Sequence, residues 1–110
     1  MHGWSDDEAS PVSDFVEAHV HTLATWDLLI FFHTHPDTDL HAEDVARRIG
    51  RRALDLEPEI DLLCRDGVLS RRGEMIWYHP DPELRQAIEA FAAACRERGR
   101  RMEFIAQVLR

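Results

Sequence analysis

The chain has 110 residues, 45% of them apolar, and a formal net charge of −8 from 21 acidic and 13 basic residues. That length holds one domain around one core, and no apolar run reaches the length needed to span a membrane. The opening MHGWSDDEAS lacks the basic region and apolar stretch of a signal peptide, so the expectation is a cytoplasmic protein.

Every basic residue is Arg, and the charge is unevenly spread. Residues 1–46 sum to −10, residues 47–72 to +2 and residues 73–110 to zero. The one positive segment therefore needs its own account.

Residues 1–12 read as a mobile acidic tail, and residues 13–110 as a single domain. Ser10 before Pro11, or Ser13 before Asp14, offers a cap for a first helix. That helix carries Val16, Val20, Leu23, Trp26, Leu29 and Ile30 at helical intervals, and Pro36 ends it. A loop to about His41 leads into a second helix, whose apolar face is Val45, Ala46 and Ile49 and whose stop is Gly50. A third helix follows on Leu56, Ile60 and Leu63 and stops at Gly67. Pro58 is tolerated only in a first turn, which puts the start of this helix near Asp55, with Asp55 or Glu57 as its cap. Two short helices meeting at a tight turn make a helix-turn-helix.

After Gly67 the spacing changes to short apolar runs, Val68–Leu69 and Met75–Tyr78, separated by a segment with Gly73 at the turn of a β-hairpin. Asp81 and Pro82 then start a long final helix, about residues 82–110. Its seam of Leu84, Ile88, Phe91, Cys95, Arg98, Met102, Ile105 and Leu109 alternates steps of four and three. A continuous helix of that length outruns a core this small, which points to a homodimer through Leu84, Ile88, Phe91, Met102, Ile105 and Leu109. Folding back at Gly99 onto its own domain is the alternative.

The chemistry-bearing residues are few. Cys64 and Cys95 have neither CxxC spacing nor a secretory context and read as buried thiols. His33, His35 and Asp37 in HTHPDT resemble the start of a metallo-hydrolase site, but the chain offers no larger scaffold of further ligands. A sensory or adventitious zinc site stands there against polar residues at a helix C-terminus, where the dipole favours His. There is no nucleophile beside a base, no phosphate loop and no implied cofactor, so the expectation is not an enzyme.

From about Ser13 to Arg110 the order of elements resembles the winged-helix transcriptional regulators of bacteria, close in layout to the MarR-like and ArsR-like groups. The resemblance rests on the Gly50 turn, the frame of Leu56, Ile60 and Leu63, and the Gly67, Val68, Leu69 lead into the wing. It implies a mainly α winged helix-turn-helix with a short β-hairpin wing. It also implies a dimer whose third helix enters the major groove of duplex DNA.

In that frame Arg47, Arg48, Arg51 and Arg52 at the turn and Arg71 and Arg72 at the wing tip flank the recognition helix, where phosphate contacts are made. The alternative is a set of solvated charges paired with Glu43, Asp44, Asp55 and Glu57. Positions facing base edges hold Ala53, Leu54, Asp55, Glu57, Pro58 and Asp61, and several carboxylates there oppose phosphate. The function expected first from the sequence is a dimeric regulator that binds duplex DNA through the arginines, and the alternative is a winged helix that has lost DNA binding and works by protein contact or dimerisation.

Overall fold

A computed structural model describes residues 3–37 and 39–110, with side chains from residue 11 onward. Its elements are α1 (Gly3–His19), α2 (Leu23–Thr34), β1 (Leu40–His41), α3 (Ala42–Ile49), α4 (Ala53–Arg65), β2 (Leu69–Arg72), β3 (Met75–Tyr78), α5 (Pro82–Cys95) and α6 (Arg98–Leu109). The architecture is mainly helical with one small antiparallel sheet, ordered β1-β3-β2.

The helix starts and stops that have local chemical causes fall where the sequence puts them. Gly50 takes φ 75°, and Arg51 N–H donates to Ala46 O at 2.9 Å, closing the end of α3. Gly67 takes φ 85°, and Val68 N–H donates to Leu63 O at 2.9 Å, closing α4 in the same way. Both are Schellman closures, which need the left-handed residue that glycine supplies without strain. At the hairpin, Gly73 has φ 58° and joins β2 to β3, which pair from Leu69 opposite Tyr78 to Arg72 opposite Met75. Asp81 caps α5 by accepting from Leu84 N–H at 2.8 Å, with Pro82 behind it.

Three expectations about helices are corrected. The expected first helix is two, since α1 ends at His19 and Thr22 caps a new helix by accepting from Thr25 N–H at 3.1 Å. Helix α1 itself begins at Gly3, so residues 3–12 are helical rather than a tail, and residues 1 and 2 lie outside the described residues. Helix α4 begins at Ala53, with Arg52 at the N-cap position making no side-chain capping hydrogen bond, which puts Pro58 in its second turn. One backbone hydrogen bond is lost there, to the carbonyl of Leu54.

The long C-terminal helix is also two helices. The break comes at Arg96–Glu97, ahead of Gly99, and α6 turns back along α1. Phe104 on α6 is buried against Phe91, ring centroids 6.4 Å apart, and Gln107 Nε2 donates to Ser13 O at 3.0 Å. Once the helix folds back, the chain covers its own seam. Ile88 and Phe91, expected at a dimer interface, are fully buried in the core, and Leu84 and Ile105 are half-buried against it. Only Met102 and Leu109 of that set are exposed. Phe91 is the centre of the helical layer, with the rings of Phe15 at 5.6 Å and Trp26 at 5.0 Å.

The second half of the core is as the spacing predicts. Val45 and Ala46 on α3 and Leu56, Ile60 and Leu63 on α4 are all buried, with Ile49 half-buried behind them. The helices and the hairpin therefore hold α4 with its apolar face inward and Leu54, Asp55, Pro58 and Asp61 outward.

Candidate nucleic-acid interface

The six arginines singled out in the sequence do lie around α4, but four of them are spent inside the molecule. Arg47 donates to Asp44 at 3.0 Å along α3. Arg51 is carried by the turn to Asp27 on α2, with Nε to Oδ2 at 2.8 Å. Arg52 forks onto Asp55 at 2.9 and 3.1 Å, which lowers the aspartate's pKa chiefly through that hydrogen bond.

Arg71 is the most engaged. Its Nη1 lies 2.8 Å from Glu57 Oε1 and 3.3 Å from Asp61 Oδ1, its Nη2 donates to Glu57 Oε2 at 3.0 Å, and its Nε donates to Gly73 O at 2.9 Å. The side chain is 20% exposed, and the hydrogen bond to Glu57 raises its pKa further above the ordinary arginine value. A two-point guanidinium–carboxylate fork fixes both partners in one plane. Of the two hairpin arginines expected to contact phosphate, Arg71 is thus folded down onto the helix beside it.

Arg48 and Arg72 remain exposed, and neither makes an ion pair among the described residues. Two separated guanidiniums are a thin footprint for a polyanion, because affinity for duplex DNA grows with the number of phosphates neutralised. The face around α4 is in effect a mosaic of closed ion pairs. On α4 itself Leu54 is 76% exposed, and Pro58, one turn further along, is exposed as well.

One member of this surface escapes the sequence reading, and two that it placed outward take roles it did not give them. Asp27 is the lone charge in the apolar run Leu23–Phe32, and a half-buried carboxylate in such a run demands a cation, a signal that does not name which one. Asp61 as the second acceptor for Arg71 depends on how the hairpin lies over α4, and Leu54 as an exposed apolar residue depends on where α4 begins.

The histidine loop does not converge. His35 caps α2, with its ring nitrogen 3.1 Å from Phe31 O and its ring 4.8 Å from that of Phe31, and His33 sits half-buried further back on the helix. Among the described residues no group of three His, Cys, Asp or Glu side chains is placed to hold a metal ion. Cys64 and Cys95 are free thiols, and burial raises the pKa of both, that of Cys95 to about 11. No helix among the described residues is long and apolar enough to cross a membrane. Comparison with known protein families, with curated proteins and with solved structures gives no match to this chain.

Proposed function

We propose that this chain is a winged-helix domain that works by protein contact through the outward face of α4. The winged-helix reading is supported by the order of elements, with a short strand before α3, a hairpin after α4, and the outer strands β1 and β2 both paired to β3. The observation that carries the functional reading is Arg71, turned onto Glu57 and Asp61 by three contacts of 2.8 to 3.3 Å. For the wing to grip phosphate, that cluster has to open and leave two carboxylates facing the polyanion. When closed, the cluster leaves apolar Leu54 and Pro58 exposed on α4 beside carboxylates that arginines neutralise. Protein interfaces combine an apolar core with a polar rim, and phosphate-binding surfaces do not.

Site-specific photocrosslinking tests this. With benzophenone in place of the Leu54 side chain, irradiation in extracts of cells that express the chain gives adducts that protease removes and nuclease does not. Nuclease-sensitive adducts from position 54, absent from a control probe at exposed Glu89, favour the DNA-binding regulator instead.

A further inference from the structure

A second feature lies away from α4, where α2 faces the corner between α5 and α6. A cleft of about 350 Å³ opens there, floored by Trp26 and Ile30 of α2 and Ala92 and Cys95 of α5, with Arg96 and Arg101 at its rim. His33 and Thr34 add polar atoms on the α2 side, and no carboxylate lines it. In a chain with 21 acids against 13 arginines, a cleft that carries only cationic charge is unusual.

Its arginines differ from those beside α4. Where Arg47, Arg51, Arg52 and Arg71 are closed onto carboxylates, Arg96 and Arg101 make no ion pair among the described residues, and Glu97 between them pairs with Arg100 instead. Arg101 lies close enough to the Cys95 thiol to act against the upward push of burial on its pKa, so its positive field reaches the floor of the cleft. The size falls at the lower end of small-molecule sites, which combine an apolar lining with a few convergent polar groups.

We propose that this cleft binds a small organic anion, a carboxylate with an apolar body, with the body on Trp26, Ile30 and Ala92 and the carboxylate between Arg96 and Arg101. Guanidinium groups suit a carboxylate because their donors match its two oxygens. A ligand there touches α2, α5 and α6 together and so fastens the corner at Arg96–Glu97. The proposal is independent of what α4 contacts.

Octanoate is the probe, with octanamide as a neutral match of the same length, both titrated calorimetrically into the full chain. One octanoate binds per chain, and octanamide binds about tenfold more weakly or less, as loss of a charge-assisted bond requires. Arg96→Ala and Arg101→Ala each weaken octanoate by about tenfold and leave octanamide unchanged. Both side chains are exposed and make no ion pair or hydrogen bond among the described residues, so the variants break no internal bond there, and circular dichroism verifies their fold. Ala92→Leu, which fills the floor, abolishes binding of both probes; if that variant fails to fold, the arginine pair still decides. Equal affinity for octanoate and octanamide, no heat from octanoate, or unchanged affinity in the Arg96→Ala/Arg101→Ala double variant overturns the proposal.

Discussion

Arg71 on β2 and Glu57 on α4 form a two-point fork, with Nη1 to Oε1 at 2.8 Å and Nη2 to Oε2 at 3.0 Å, that ties the hairpin to the helix beside it. The pair is part-buried, at 20% and 38% exposure, which shields it from salt better than an open surface pair. A double-mutant cycle with Arg71→Ala and Glu57→Ala in urea should give a coupling of about 0.5–1 kcal/mol, at the upper end for such pairs. Arg71→Lys should recover less than half of it, because an ammonium cannot make the fork. Zero coupling contradicts the account.

Two aromatic substitutions should differ sharply. The Tyr78 hydroxyl is buried and finds no hydrogen-bond partner among the described residues, while Arg85 lies 5.1 Å over the ring. Tyr78→Phe keeps the ring and removes the unpaired hydroxyl, so stability should hold or rise by up to about 1 kcal/mol. Phe91→Ala, at the centre of the helical layer, should lose about 3–5 kcal/mol. Thermal and urea melts of both variants check the contrast, which fails if Tyr78→Phe costs more than about 1 kcal/mol.

The last two helices yield a prediction about association. Because Ile88 and Phe91 serve the chain's own core, Phe91→Asp should unfold it rather than split a dimer. Met102→Asp with Leu109→Asp, on the exposed side of α6, should leave the melting free energy within about 0.5 kcal/mol per site, as surface substitutions do. Sedimentation velocity with circular dichroism separates the cases. A folded, monomeric Phe91→Asp variant from a dimeric parent would restore the seam as an interface.

What could be read in the sequence was what has a local cause. Gly50, Gly67 and Gly73 each hold a positive φ, and Asp81 with Pro82 fixes the start of α5, so the turn, the hairpin and the faces of α3 and α4 follow from neighbours a few residues away. The break at Val20–Thr22 has no Gly or Pro, and its only marker is Thr22 capping Thr25, which apolar spacing through Val20, Leu23 and Trp26 overrides. At the other end Gly99 draws attention from the true break at Arg96–Glu97, set by Phe104 packing on Phe91 of α5 and Gln107 bonding to Ser13 of α1. Arg52–Asp55 and Arg71–Glu57 were within reach as alternatives for charges already singled out, but Arg51–Asp27 joins residues that only the packing of α3 and α4 on α2 brings together. The cleft under Arg96 and Arg101 exists only because the final helix folds back.

Alkaline pH should act through few groups, because the chain has no Lys. Burial raises the pKa of Cys64, Tyr78 and Cys95, that of Cys95 from an ordinary 9.0 to about 11. The folded chain thus holds the Cys95 proton where the unfolded chain gives it up. That contribution to stability is full below pH 9 and is lost as pH rises toward 11. The melting temperature should fall across that window, and Cys95→Ala, compared with its own value at pH 8, should fall less. Iodoacetamide at pH 8 should label half-buried Cys64 ahead of buried Cys95. A flat melting temperature from pH 9 to 11, or faster labelling of Cys95, contradicts this reading.

On the proposed reading, the carboxylates of α4 close off the arginines and leave a face for protein. Fluorescence anisotropy of a labelled mixed-sequence duplex tests it most directly, with the parent chain and the Asp55→Asn/Glu57→Gln/Asp61→Asn variant at low and physiological salt. The parent chain should show no binding even at low salt. In the variant, Arg52 and Arg71 are released to join Arg48 and Arg72, and weak binding should appear with a log–log salt slope of about one unit per arginine engaged. Steep, salt-dependent binding by the parent chain, unchanged or weakened in the variant, would contradict it and make this a DNA-binding regulator.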